Sequence, residues 1–501
     1  MSRCEEFGLR HAREEAAGAG PRAIDGNGMT RKYTGKRKAV AAVAWETKSA
    51  GASPKIAMIS LGCPKNLVDT EKILGLLHRA GYTTTSQAEG ADLLLVNTCA
   101  FVQSAQEESI EAILEMARLK ETGSCRALIV VGCLPQRFGH ELANQLPEVD
   151  AWLGVDQATT VFQACERLLA RNGSKGEGRP PSPALPDDMV SLPRVLCTPS
   201  HYAYLKIAEG CRNFCSYCVI PSIRGDLKSR PLPSLLREAK ELANRGVKEL
   251  ILVAQDLGNY GRDLAPPVTL VDLLEDLCRI EGLEWIRLLY MHPGHLPEGL
   301  ISLVATEPKI CPYLDLPLQH IDDGILKAMN RRVTSAEIRS LIRRLKASLP
   351  RLSLRTTFLV GFPGESDAQF STLLDFAEEI EFDHLGAFAY SREEGTEAAR
   401  MKNQVPRKVK EARLQKLMET QAAISRKRNL ALVGTTQRIL IDGKGSPEAL
   451  SWKGRASWQA PEIDGVVYVR KAPGAPGEFV EVEIVEADTY DLVGERLAGM
   501  A

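Results

Sequence analysis

Tyr202–Cys218 reads YAYLKIAEGCRNFCSYC. Its first half, Tyr202–Ala208, is an apolar run with the length and composition of a strand. Its second half is a loop carrying Cys211, Cys215 and Cys218 at the spacing Cys-x3-Cys-x2-Cys, with Tyr217 just before the last cysteine. Three close cysteines can hold three corners of a [4Fe–4S] cluster and leave the fourth iron open to a small molecule. Structural zinc prefers four protein ligands, often as two separated pairs, and no second pair lies near. A ferredoxin-like loop would supply a fourth cysteine, and none stands at the expected spacing.

Downstream, the strand-then-helix pattern repeats. Candidate strands are Tyr202–Ala208, Glu249–Ala254, Trp285–Met291, Tyr313–Leu318, Leu354–Gly361 and Leu385–Tyr390, with helical segments between them. Six such strands predict a curved parallel sheet, either an incomplete barrel or a doubly wound fold. Thr356–Glu365 (TTFLVGFPGE) puts Gly361 and Gly364 at the end of the fifth strand, where glycine lets backbone approach a ligand.

Upstream, strands and helices also alternate from 55 to 170. The strands Lys55–Leu61, Asp92–Asn97 and Arg126–Val131 are apolar without alternation, as in a parallel sheet covered on both faces. The helices Asn66–Ala80 and Ser104–Lys120 lie between them. Cys63, Cys99 and Cys133 each follow one strand, with gaps of 35 and 33 residues. Residues just past the carboxyl ends of parallel strands gather at one edge, so three thiolates distant in sequence converge there. The trio suits a cluster with one open metal position, although an open zinc site is also compatible with it. Cys4, Cys125, Cys165, Cys197, Cys278 and Cys311 are scattered and read as small buried hydrophobes or bystanders.

The chain has 501 residues, 44% apolar and 25% charged, with net charge −1, as expected of several globular domains without bulk attraction for nucleic acid. No apolar run is long enough for a membrane span and the N-terminus lacks a secretory pattern, so a cytoplasmic location is expected, with metal or catalysis favoured over disulfides. Five segments are predicted: an extension without periodicity over 1–53, an α/β domain over 54–171, a Pro- and Gly-rich linker over 172–196, the six-strand domain over 197–429 and a small β domain over 430–501. A basic amphipathic helix over Pro406–Leu432, with Pro406 in its first turn, closes the fourth. Strands at Gln437–Ile441, Gly465–Arg470 and Glu478–Val485 suggest a small all-β barrel.

The CxxxCxxC spacing resembles that of the radical S-adenosylmethionine (SAM) superfamily, and the six strands resemble its partial (βα)6 barrel. Together with the strand-end trio and the β tail, the chain from 55 to 498 resembles the methylthiotransferases, which carry an N-terminal three-cysteine domain, a radical SAM barrel and a C-terminal TRAM domain. SLGCPKNLVDTE (60–71), NTCAFV (97–102), CSYCVIPSIRGDLKSR (215–230) and LDLPLQH (314–320) are similar to the branch acting on ribosomal protein uS12. The resemblance implies two [4Fe–4S] clusters: one on Cys211, Cys215 and Cys218 that binds and splits SAM, and an auxiliary one on Cys63, Cys99 and Cys133 that presents the sulfur. It places Tyr217, Gln319, Arg355, Gly361 and Gly364 among the candidate SAM contacts. It implies transfer of a methylthio group to the β-carbon of an aspartate in uS12, free or on the small subunit. An electron donor such as flavodoxin or ferredoxin and a sulfur donor are expected partners. The rivals are the same chemistry on a tRNA adenosine, which the basic helix favours, and a non-catalytic iron–sulfur or RNA-binding adaptor. Residues 430–501 carry seven Lys or Arg against eleven Asp or Glu, a balance of −4 that suits a basic protein better than RNA.

Overall fold

The computed structural model describes residues 53–155, 157–171, 194–445, 452–470 and 474–497. All but the last residue of the extension expected over 1–53, and most of the linker expected over 172–196, therefore lie outside the described residues. Contacts divide the chain into two units, one reaching to Cys197 and including Ser222–Arg224, the other made of Thr198–Pro221 and everything from Gly225 onward.

The first unit is a five-stranded parallel sheet of β1 (Lys55–Ser60), β2 (Thr83–Thr84), β3 (Leu93–Thr98), β4 (Ala127–Gly132) and β5 (Ala151–Leu153), in the order β2-β1-β3-β4-β5. Every residue of β3 and β4 is buried, which is why these strands read as unbroken apolar runs. Helices Pro64–Arg79 and Ala158–Arg171 share a core with the sheet through Ile73, Leu77, Val161 and Leu168. The two-residue β2 and three-residue β5 were not expected, because neither is long enough to show a period. The strand order reverses between β1 and β3, creating the crevice where doubly wound folds bind ligands.

The second unit begins with β6 (Tyr202–Lys206), β7 (Ala208–Glu209), β8 (Lys228–Ser229), β9 (Glu249–Val253), β10 (Trp285–Leu288), β11 (Ile310–Asp315), β12 (Ser353–Val360) and β13 (His384–Ala389). Six of them form one parallel sheet in the order β13-β12-β11-β10-β9-β6. The order never reverses, so the sheet winds one way as an incomplete barrel and has no switch point. The choice left open by periodicity is thereby made. The short antiparallel pair β7–β8 pinches the neck of the cysteine loop, with Ala208 opposite Ser229 and Glu209 opposite Lys228.

Helix Arg407–Leu430 follows, with Pro406 as its N-cap, one residue outside the predicted first turn. Its buried face is Arg413, Leu417, Gln421, Ile424 and Ser425. An apolar stripe was expected. Polar groups stand there because Arg413 pairs with buried Glu365 and Gln421 donates to the carbonyl of Phe382. The closing domain is a closed barrel of β14 (Thr436–Lys444), β15 (Trp452–Ala456), β16 (Val467–Arg470), β17 (Phe479–Ala487) and β18 (Leu492–Arg496). Only β14, β16 and β17 were anticipated. The sequences of β15 (WKGRA) and β18 (LVGER) carry glycine and charge where a strand pattern needs apolar alternation.

Beneath the amino-terminal ends of the partial barrel lies a buried ion network. Glu249 of β9 pairs with Arg287 of β10 (2.6 Å) and with Arg455 of β15 (2.7 Å). Arg455 also grips Asp442, which accepts or receives a hydrogen bond from His201 at 2.9 Å. Burial opposes ionisation of Glu249, yet the two guanidiniums hold its carboxyl below the usual range.

Candidate iron–sulfur sites

In the first unit, β1, β3 and β4 end level with one another, with Ser60 beside Asn97 and Thr98 beside Gly132. Cys63, Cys99 and Cys133 follow directly, so the strand-end expectation is met in position. Cys63 caps helix Pro64–Arg79 and Cys133 is the first residue of helix Cys133–Gln145. Both thus lie where unpaired amide N–H groups favour a thiolate. Gly62 has φ +84°, and a Cβ there would lie 2.6 Å from the Cys99 Cβ and 3.0 Å from its Sγ. Glycine therefore brings the first loop against the second.

Asn66 ties these loops together. Its Nδ2 donates to the carbonyls of Leu61 (3.1 Å) and Thr98 (2.8 Å), and its own carbonyl accepts from Asn97 Nδ2 (2.9 Å). The Oδ1 of Asn66 is left facing Cys133 Sγ at 3.8 Å and the guanidinium of Arg224. Burial opposes the Cys63 thiolate, but Lys65, Arg224 and two backbone amides bring its pKa below the ordinary value. Burial and the neighbouring Cys63 and Cys133 push Cys99 up to about 12, and burial also raises Cys133.

In the second unit the cysteine loop is fixed at several points. Gly210 has φ +76°, and a Cβ there would meet the Asp226 carbonyl at 2.0 Å. Cys211 N–H donates to Gly225 O (3.1 Å) and Cys218 N–H to Cys215 O (3.0 Å). Ser216 is bound at both ends of its backbone, to Met329 O (3.0 Å) and from Ala398 N (2.8 Å). Asn213 donates to Asp256 (2.9 Å), which also accepts from Asn259 and pairs with His295 at 2.7 Å. Tyr217 packs against the cluster of Ile325, Met329, Phe362, Tyr390 and Ala398. Its hydroxyl accepts from Arg331 Nη1 (3.3 Å), which also points at Cys215 Sγ (3.9 Å). Arg331 is buried and anchored on Pro317 O (2.6 Å). Nothing in the sequence separated it from other basic residues, since Cys215 and Tyr217, which it faces, are remote in sequence. Burial drives Cys211 up to about 11 and Cys218 up to about 12.

Thiols with such values stay protonated at neutral pH unless a metal takes the proton's place. Among the described residues, no three His, Cys, Asp or Glu side chains converge tightly enough to grip one ion. A cubane sits between more widely spaced thiolates. Both trios offer thiolates alone, the donor set an iron–sulfur cluster requires.

The remaining candidates fall in different places. Gln319, with φ +71°, bridges to β12 by accepting from Leu359 N and donating its own N–H to Thr357 O (2.8 Å each). Gly364 has φ +86° with open space where a Cβ would stand. At Gly361, with φ +70°, a Cβ would lie 2.4 Å from Cγ of Lys410, so a helix side chain packs closely there. Arg355, expected near SAM, is the third residue of β12, in the half of the strand remote from its carboxyl end. There its guanidinium is held by Asp315 at 2.9 Å and faces Asp464 at 3.6 Å. Of the bystander cysteines, Cys165 sits in the first unit's core and Cys311 is buried in β11. Cys4 lies outside the described residues.

Gly62→Ala is expected to displace Cys99 and lower the iron bound by the first trio while the second keeps its share. Iron and sulfide analysis beside a Cys211→Ala control checks this; equal iron in Gly62→Ala and wild type would refute it.

Three family models match the chain: an uncharacterized protein family, UPF0004, over residues 55–154, the radical SAM superfamily over 205–377, and the TRAM domain over 433–497. Among curated relatives, the chain is 49% identical over 444 residues to the ribosomal protein uS12 methylthiotransferase RimO of Geotalea uraniireducens, covering 88% of this chain and 98% of that protein. It is 48% identical to the RimO of Geobacter sulfurreducens, covering 89% and 99%. The RimO of Pelotomaculum thermopropionicum is also 48% identical, over 88% of this chain and 99% of its own. Among solved structures, the radical SAM methyltransferase TsrM from Kitasatospora setae is similar at 14% identity and a TM-score of 0.49, over 67% of this chain and 72% of that one. That last likeness carries no assignment.

Proposed function

The chain belongs to the RimO family of radical SAM methylthiotransferases, and from that premise we propose that it transfers a methylthio group to the β-carbon of an aspartate in ribosomal protein uS12 with two [4Fe–4S] clusters. Cys211, Cys215 and Cys218 hold the cluster that binds SAM, and Cys63, Cys99 and Cys133 hold the auxiliary cluster. When bound, these groups supply homolysis of SAM and a sulfur acceptor and donor, chemistry no side chain of the chain can perform. The observation that carries the reading is the second trio at the switch point of the first sheet, because SAM cleavage alone needs one cluster only. The residues around each trio position and insulate. Asn66 links the loops of Cys63 and Cys99. Asp256 restrains Asn213, between Cys211 and Cys215. Tyr217, Gln319 and Gly364 are the candidate SAM contacts beside this loop and at the carboxyl end of β12. Reductant comes from a flavodoxin- or ferredoxin-like donor and sulfur from a separate donor, in the cytoplasm. No described helix is long and apolar enough to cross a membrane.

The protein substrate is favoured over tRNA by charge placement. On the outer face of the closed barrel, Glu483 of β17 stands directly opposite Glu495 of β18. Like charges paired across strands cost stability, so such a face is suited to a basic partner. The basic helix Arg407–Leu430 is meanwhile largely neutralised, through Arg407–Glu411, Lys427–Glu381 and the pairing of Arg428 with Asp383. Anaerobic enzyme, SAM and reductant are incubated with uS12 and, separately, with tRNA. Mass spectrometry is expected to show a methylthio gain on uS12; a gain on tRNA alone would defeat this reading. A protein forming neither 5′-deoxyadenosine nor methionine in the presence of substrate would be the adaptor.

A further inference from the structure

Arg224 is buried, its side chain only 1% exposed, although arginine is among the residues least often found inside. By contacts it belongs to the first unit. One guanidinium nitrogen, Nη2, reaches the Oδ1 of Asn66 and lies 3.5 Å from Cys133 Sγ. The other, Nη1, faces Asp69 at 3.3 Å. Asn66 is in turn fixed by the carbonyls of Leu61 and Thr98. The cation is therefore aimed by a rigid amide at one sulfur of the trio. Of the two, the Asp69 carboxylate is the more exposed, at 16%.

A buried cation hydrogen-bonded to a ligand sulfur acts on a cluster in a known direction. Reduction adds negative charge to a site of low polarity, and the guanidinium stabilises that charge. We infer that Arg224 is a positioning residue of the auxiliary site, orienting Cys133 and raising the reduction potential of whatever cluster the trio holds. The inference rests on the reading of Cys63, Cys99 and Cys133 as cluster ligands. Arg224 touches neither SAM nor the transferred group in this role. The same contact explains why the sequence SIRG places a basic residue in an otherwise apolar turn. Asp69 supplies an opposing sign: removing its charge leaves more of the arginine's field on the sulfur.

The test uses the full chain with Cys211, Cys215 and Cys218 replaced by alanine, so that only the auxiliary trio can bind iron. The protein is reconstituted without oxygen and its cluster is titrated with reductant under electron paramagnetic resonance. In this background Arg224→Met is expected to favour the oxidised cluster by about ten-fold at fixed potential, the scale of a charge-assisted hydrogen bond. Arg224→Lys should recover part of the shift, since it keeps the charge but not the fork. Asp69→Asn should move the balance the other way. An unchanged titration in Arg224→Met overturns the inference. If Arg224→Met fails to hold iron, Asp69→Asn decides: a shift toward the reduced form supports the role, and no shift or the opposite one overturns it. Absence of iron in the unsubstituted background sinks the ligand assignment itself, and the inference with it.

Discussion

Cys215→Ala is expected to abolish 5′-deoxyadenosine formation, whereas Cys99→Ala keeps SAM cleavage and loses the methylthiolated product. The two cysteines stand in separate units of the fold. Cys215 is the middle cysteine of the loop, and Arg331 points at its sulfur. Alanine there leaves two thiolates, too few to retain a cluster with one open iron. No residual rate is expected, since the sequence carries no second Cys-x3-Cys-x2-Cys loop. Cys99 is buried beside Gly62, in the first unit. Its loss leaves the SAM loop and the pinch between β7 and β8 intact. Deoxyadenosine and peptide product are quantified in one anaerobic assay by chromatography and mass spectrometry. Full product yield from Cys99→Ala would remove the auxiliary trio from the reaction. Equal loss of deoxyadenosine in both variants would mean that the two sites do not divide the work.

The parts of this site legible in the sequence were those written in local spacing. Cys211, Cys215 and Cys218 lie on one loop, so their interval alone marks them as a set. Cys63, Cys99 and Cys133 were legible because each ends an apolar strand, and parallel strands end at one edge. The supporting residues were not. Asn66, Arg224 and Arg331 act through partners far away in sequence, such as Thr98, Cys133 and Cys215. No pattern within a window marks such a contact. At Gly361 the glycine was noticed, but not its close neighbour Lys410, which belongs to a later helix. Likewise β15 and β18 close the small barrel through register with their neighbours, which compensates for weak strand sequences.

Glu249→Gln is expected to destabilise the second unit by about 3–5 kcal/mol, the cost of breaking a buried ion pair from one side. Glu249 and Arg287 are both fully buried. Without the carboxylate, Arg287 retains the Ser457 carbonyl at 2.7 Å and the rings of Trp285 and Tyr313, none of them anionic. Arg455 loses less, because Asp442 still holds it at 2.7 Å. The penalty therefore lies mostly on Arg287, and replacing it as well, in Glu249→Gln/Arg287→Met, should restore much of the loss. Thermal or urea unfolding followed by tryptophan fluorescence measures both variants. A single-variant change below about 1 kcal/mol would mean that the network is no more than a solvated pair. The pH dependence has a fixed sign. The carboxyl of Glu249 is held below its usual value of 4.5, so its contribution is complete above that value. It is given up only as the pH falls through the depressed value of the folded chain. Glu249→Gln should consequently flatten the acid limb of the stability curve, and wild type and variant should converge in strong acid.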